Sequence, residues 1–483
     1  MRRHTMKLLA LLACVVLTLP VFAQTKRKVD GKPATQMQVA PNQPQESAQP
    51  VAIRGGKLLT ITHGVIDNGT VVMENGKITA VGQSASVKIP ANARVIEANG
   101  MTVYPGLIDS ETNLGLIEIE ADQMTNDLVE TSDEIMPHMH VADAFHAESE
   151  RIPVVRVNGI TNVIVAPGSS DTLPGQSSFA QLDGKDRDEM LLVKDVALPL
   201  NFGPDQRRRG GGPPGGGGRG GETRYPSTRM GLAAQLRQTF LDAQDYAQRL
   251  ANPQSSSAES SQESSRTGGR GGRGERGGGN KRDLKLEALL PYLQGKKPVV
   301  VAARESADIE TVMKLAREFN LKVVLNHVTH SQEILDEIAS WKVPVIVGPI
   351  YDAPKANERY DSVYSLPAEL AKRGVKIAFG SYRVEHNRNL PYAAGYAVAY
   401  GLPYEEALKA LTINPAEIWG VADQLGSLDV GKTANVVVAN GDPLDVKTDV
   451  REVFIRGRQI PMENRQTRLR DQYGGGNLPG VGK

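Results

Sequence analysis

The chain has 483 residues, 40% of them hydrophobic, which is enough for one large α/β barrel or for two to three ordinary domains. A formal net charge of +1 removes any global electrostatic reason to expect nucleic acid or an anionic membrane surface as partner. Only 5% of the residues are aromatic while glycine (49) and proline (29) are plentiful, so part of the chain is expected to be loop or unstructured.

The first 23 residues read as a signal peptide. Arg2, Arg3 and Lys7 make a basic start, Leu8 to Leu19 is an apolar run short for a bilayer, and Val21-Phe22-Ala23 offers a cleavage site before Gln24. The competing reading is an uncleaved anchor; the short run, closed by Pro20, favours cleavage. The single cysteine, Cys14, lies inside the run, so the mature chain has no thiol for a disulfide or a metal. No later apolar run is long enough to cross a membrane. The expected location is extracytoplasmic, periplasmic or secreted.

Residues 24–50 are rich in Gln, Pro, Lys and Ala without periodicity and read as a disordered leader. From Val51 the texture is short strands. Lys57 to His63 alternates, and Thr70 to Met73 and Lys77 to Val81 flank Asn75-Gly76, a strong hairpin signal. Arg94 to Glu97 is a further strand, and Thr102 to Ile108 reads as one apolar strand. Beyond Asn162 to Val165 and Met190 to Val193, strand and helix alternate regularly. Pro298 to Val301, Lys322 to Leu325, Pro344 to Val347 and Val375 to Phe379 are apolar strands, and each is followed by an amphipathic helical stretch. Asn435 to Ala439 and Glu452 to Arg456 return to strand at the C-terminus. This pattern predicts an α/β (β/α)8 TIM-type barrel over 102–420 and a small composite β-sandwich from 51–101 and 421–465, with a flexible tail at 466–483. Low-complexity insertions at 207–221 and 253–280, rich in Gly, Arg and Ser, flank a predicted helix from Met230 to Leu250. Gly-Arg runs can bind RNA, but in an exported chain they read as solvated insertions, and no nucleic-acid partner is expected.

Two motifs carry a family resemblance. Pro105-Gly106-Leu107-Ile108-Asp109 follows the first apolar strand, and Thr412-Ile413-Asn414-Pro415-Ala416 leads through Gly420 and Gly426-Ser427-Leu428 to Gly431-Lys432. Both resemble the opening and closing signatures of imidazolonepropionase-like members of the amidohydrolase superfamily. The resemblance implies metal-dependent hydrolysis of C–N bonds in small molecules, with zinc or another divalent metal lowering the pKa of a bound water and a strand-end Asp taking its proton.

The resemblance also says where the metal ligands belong, and most of those positions are changed. After Asp109 the family has His-x-His; here Glu111 and Asn113 stand there. The next expected histidine falls on Ala302, the following one is kept as His327, and the catalytic Asp of the last strand is replaced by Tyr382. Glu111 and His327 supply at most two donors, of which Glu111 is the weaker, and Asn is a poor zinc ligand. Tyrosine, with an ordinary pKa near ~10, is a poor base at neutral pH.

Other histidines offer little to rebuild the site. His138 and His140 precede a helical pattern on which alternate residues do not share a face, and His330 reads as a helix-start residue. His386, beside Glu385 and Arg388, reads as solvated, and His63 belongs to the sandwich. Three readings remain open at this point. One is a pseudoenzyme paired with an active amidohydrolase relative and holding no stoichiometric metal. The others are an active hydrolase with an atypical metal site and a small-molecule binding module.

Overall fold

A computed structural model describes residues 49–203, 225–251 and 282–474. The signal segment, all but the end of the leader and both low-complexity insertions lie outside the described residues. No described helix is long and apolar enough to cross a membrane.

Both chain ends share one eight-stranded sheet. From the N-terminal end come β1 (Val51–Leu59), β2 (Val65–Glu74), β3 (Lys77–Gln83), β4 (Arg94–Glu97) and β5 (Thr102–Pro105). The hairpin forms where Asn75-Gly76 predicts it, pairing Glu74 with Lys77. Asn75 and Gly76 take φ of 51° and 70°, the left-handed pair that a tight two-residue turn requires. One edge of β1 pairs in parallel first with β4 and then with β5.

The barrel strands are β6 (Leu107–Thr112), β7 (Ile160–Val165), β8 (Ser177–Gln181), β9 (Leu191–Asn201), β10 (Val299–Ala302), β11 (Val323–Asn326), β12 (Val345–Val347) and β13 (Ile377–Phe379). They hydrogen-bond to one another in chain order. Tyr382 N–H donating to the Glu111 carbonyl at 2.8 Å brings the last strand back to the first. The C-terminal strands β14 (Val436–Ala439), β15 (Val450–Ile455) and β16 (Arg458–Gln459) then complete the outer sheet, β14 lying antiparallel on β5. The composite sandwich beside a (β/α)8-type barrel is thus observed.

Three details differ from expectation. The apolar run Thr102 to Ile108 is two strands in two sheets, the chain passing from sandwich to barrel at Gly106. Strand β8 runs antiparallel to both neighbours, so seven barrel strands are parallel and one is reversed. The segments on either side of β8 are too short for the crossover helix that a parallel strand needs. Residues 466–473, expected in the flexible tail, belong to a helix, Arg465–Tyr473, whose Asn464 and Thr467 make a reciprocal capping box.

The strand alternation sorts the barrel's side chains. Val299, Val301, Leu325, Val347 and Phe379 point into the helical sheath. Val300, Val324, Ile346 and Ala378 pack inside the barrel with Ile108, Ile164 and Phe179. Two residues further along each strand, the inward positions are Ala302, Asn326, Gly348 and Gly380. This layer floors the mouth of the barrel at the C-terminal ends of the strands.

Candidate active-site cavity

A cavity of about 340 Å³ occupies that mouth, and Glu111, Asn113, Ala302, His327 and Tyr382 all line it. Residues scattered over 272 positions of sequence therefore converge on one place. Each is carried there by the end of a strand: Glu111 by β6, Ala302 by β10, His327 by the turn after β11 and Tyr382 by the turn after β13.

The floor is a closed hydrogen-bond network centred on Asn326. Its amide N–H donates to Glu111 Oε2, and its Oδ1 accepts the Tyr382 hydroxyl at 2.7 Å and the His327 N–H at 2.8 Å. His327 Nε2 lies 3.5 Å from Glu111 Oε1. The His327 and Tyr382 rings pack with centroids 4.3 Å apart. Both residues hold left-handed backbone, φ 55° and 64°, which bulky side chains adopt only when their surroundings impose it. Asn113 turns its amide N–H away to the Ala166 carbonyl at 3.0 Å, and Ala302 presents only a methyl group.

The sequence reading placed His327 in the strand-end position and did not single out Asn326. Parity would have found it: Val324 faces the barrel interior, so Asn326 does too, and His327 lies just past the strand.

Asp109 lies beneath this layer, fully buried. It accepts Ser381 N–H at 3.0 Å and Glu111 N–H at 3.2 Å, and bonds the Ser381 hydroxyl. Burial pushes its carboxyl up to about 7, against the pull of these hydrogen bonds. Burial, with Glu111 nearby, also drives the Tyr382 phenol well above its ordinary value, which removes it further from service as a base.

Among the described residues no other histidine lines this cavity. His140 Nδ1 is 2.7 Å from Asp195 Oδ1, and His63 Nε2 is 3.2 Å from Asp429 Oδ1. His330, read as a helix-start residue, sets Nδ1 3.0 Å from both Glu358 oxygens. His386, read as solvated, stacks on Tyr351 at 5.2 Å between centroids. Arg383 and Glu385 also line the mouth.

A model described as the amidohydrolase family matches residues 296–460. Over those residues the chain carries the amidohydrolase family's pattern. The crystal structure of an amidohydrolase from Thermotoga maritima is similar over 85% of this chain and 99% of that one, with a TM-score of 0.71 and 28% identity. Amidohydrolase tasK of Hapsidospora irregularis is 26% identical over 400 residues, which is 80% of this chain but 39% of that protein, so the chain spans about two fifths of its length. The imidazolonepropionase of Geobacillus kaustophilus is 48% identical over 56 residues, 11% of this chain and 13% of that protein.

The amidohydrolase superfamily uses a divalent metal such as zinc, and the donors in this barrel do not fit one. Glu111 and His327 stand about as far apart as two ligands of a tetrahedral zinc, roughly 3.4 Å for bonds near 2.1 Å. A catalytic zinc needs a third protein donor. Asn113 has spent its amide N–H on the wall, Ala302 has no donor, and the Tyr382 hydroxyl is committed to Asn326. Among the described residues no three His, Cys, Asp or Glu side chains converge on a point.

Proposed function

We propose that this chain is an exported amidohydrolase-superfamily protein that no longer hydrolyses C–N bonds and acts through its folded barrel, as a partner subunit for a catalytically intact relative. The observation that carries the first part is Tyr382. The resemblance puts this tyrosine at the position of the family's proton-taking Asp, and its hydroxyl ties Asn326 into the floor that also holds Glu111. The signal-like N-terminus supports export. The retention of the whole fold around altered chemistry supports a role for the folded shape.

A second reading has its own observation. The cavity is still open, at about 340 Å³, and its walls are polar, which suits binding of a small molecule without turnover.

Affinity purification of the full chain from its native source tests the proposal with three readouts. The recovered chain is expected to begin at Gln24 by intact mass and to give no turnover of cyclic amides or dipeptides with zinc or manganese added. It is also expected to bring down an exported amidohydrolase that keeps its His-x-His and terminal Asp. A mass retaining residues 1–23 would overturn export. Metal-dependent turnover abolished by His327→Ala would establish an atypical active hydrolase instead. A chain that purifies alone, and whose loss affects no such relative, would remove the partner role.

A further inference from the structure

The cavity at the barrel mouth is short of positive charge. Two of its lining carboxylates are matched by arginines: Arg304 Nη1 stands 3.1 Å from Asp352 Oδ2, and Arg383 Nη1 stands 3.7 Å from Glu385 Oε1. Among the described residues neither Glu111 nor Glu120 forms an ion pair with a Lys or Arg. Glu111 matters more, because its side chain is only 16% exposed and its neighbours are the Asn326 amide and the His327 ring. A carboxylate taken out of water without a cation is costly, and such groups are ordinarily paired.

The unspent hydrogen-bonding atoms point the same way. Asn113 and Asn201 give their amide N–H groups to the carbonyls of Ala166 and Asp171, at 3.0 and 2.7 Å, which leaves each amide oxygen as an acceptor. His327 turns one ring nitrogen, Nε2, to Glu111 Oε1 at 3.5 Å, and its other ring nitrogen is Nδ1. That Nδ1 is buried without a hydrogen-bond partner, on a residue 7% exposed. Within the floor Asn326 gives an amide N–H to Glu111, and the Tyr382 hydroxyl is committed to Asn326. The wall is thus rich in acceptors and net negative.

We propose that the cavity binds a primary ammonium group, with Glu111 as its counter-ion and the spare amide oxygens of Asn113 and Asn201 receiving the ammonium N–H groups. The proposal rests on the reading that no metal fills the site. The ammonium belongs to a free small amine or to a lysine side chain of a partner protein.

Full-length protein freed of metal with chelator is titrated with n-butylammonium, Nα-acetyl-lysinamide, n-butanol and butyrate by calorimetry and ligand-observed NMR. At least one ammonium probe is expected to saturate, with butanol and butyrate at least roughly tenfold weaker. Tighter binding of n-butylammonium identifies a free amine, and tighter binding of the lysinamide a lysine side chain. This comparison needs no variant. Glu111→Gln, which can still accept from Asn326, is expected to weaken the ammonium probe by a similar factor at an unchanged circular-dichroism spectrum. The proposal is overturned if neither ammonium probe binds by roughly 20 mM. Equal affinity for butanol or butyrate, or unchanged affinity in a folded Glu111→Gln, overturns it equally. Such failure in metal-free protein counts against this proposal alone; a full equivalent of metal before chelation counts against the silent-barrel reading.

Discussion

Replacing Gly348 by valine is expected to destabilise the barrel by about 3 kcal/mol, more than other single changes at the mouth. Gly348 follows β12 with φ 125°, a conformation that side chains with a Cβ rarely adopt. A Cβ there would stand 2.6 Å from Tyr382 Cε2 and 3.1 Å from the Gly380 carbonyl oxygen. The ring is held by stacking on His327 and by its bond to Asn326, and the carbonyl belongs to the chain just past β13, so neither can move aside cheaply. Urea unfolding of Gly348→Val in the wild-type and Tyr382→Ala backgrounds measures this. The loss should be smaller in the second background, where the ring is gone and the backbone strain alone remains. A loss under about 1 kcal/mol in the wild-type background would show that the mouth can re-form around an enlarged residue. The same geometry bears on function. Gly348 and Gly380 leave room that the Tyr382 ring occupies, so the tyrosine sits in a seat shaped for it.

Raising the pH from about 4 to about 7 is expected to weaken the folded state through Asp109. Its carboxyl sits at about 7 in the fold, because burial disfavours its charge, against about 3.9 in an unfolded chain. The folded state therefore holds the proton more tightly. The stabilisation is fully present below the unfolded value and is lost as pH rises through about 7. Three units correspond to about 4 kcal/mol as an upper figure. Asp109→Asn should remove most of this slope. The Asn oxygen can still accept the Ser381 and Glu111 N–H groups, and its NH2 can donate to the Ser381 hydroxyl. Urea unfolding at pH 5 and pH 8 should show the variant gaining on the wild type at the higher pH. Parallel pH profiles in the two proteins would mean that Asp109 is charged in the fold across this range.

Much of this architecture is legible in the sequence because burial on both faces writes continuous apolar runs. Val299 to Val301, Val323 to Leu325 and Val345 to Val347 are strands, as their composition predicts. The Asn75-Gly76 turn is legible for a different reason, since few residue pairs tolerate two left-handed positions in succession. Strand β8 is not legible. Its Ser-Ser-Phe-Ala-Gln is polar in composition, yet all five residues are buried between β7 and β9. The helix at 465–473 is hidden because it buries none of its residues and so shows no apolar stripe. At the site, the family resemblance locates the five lining positions, but it directs attention to the missing ligands. It does not reveal Asn326, whose importance comes from contacts with residues 215 and 56 positions away.

Metal content of the purified full chain, prepared without chelator, decides whether the mouth of this amidohydrolase barrel is still a hydrolytic site. With Asn113, Ala302 and Tyr382 where donors or a base are needed, elemental analysis should find well under one equivalent of zinc, manganese or iron, unchanged in His327→Ala. One full equivalent, lost in His327→Ala together with hydrolytic activity, would contradict the silent-barrel reading and show that Glu111 and His327 have recruited a site of a different kind.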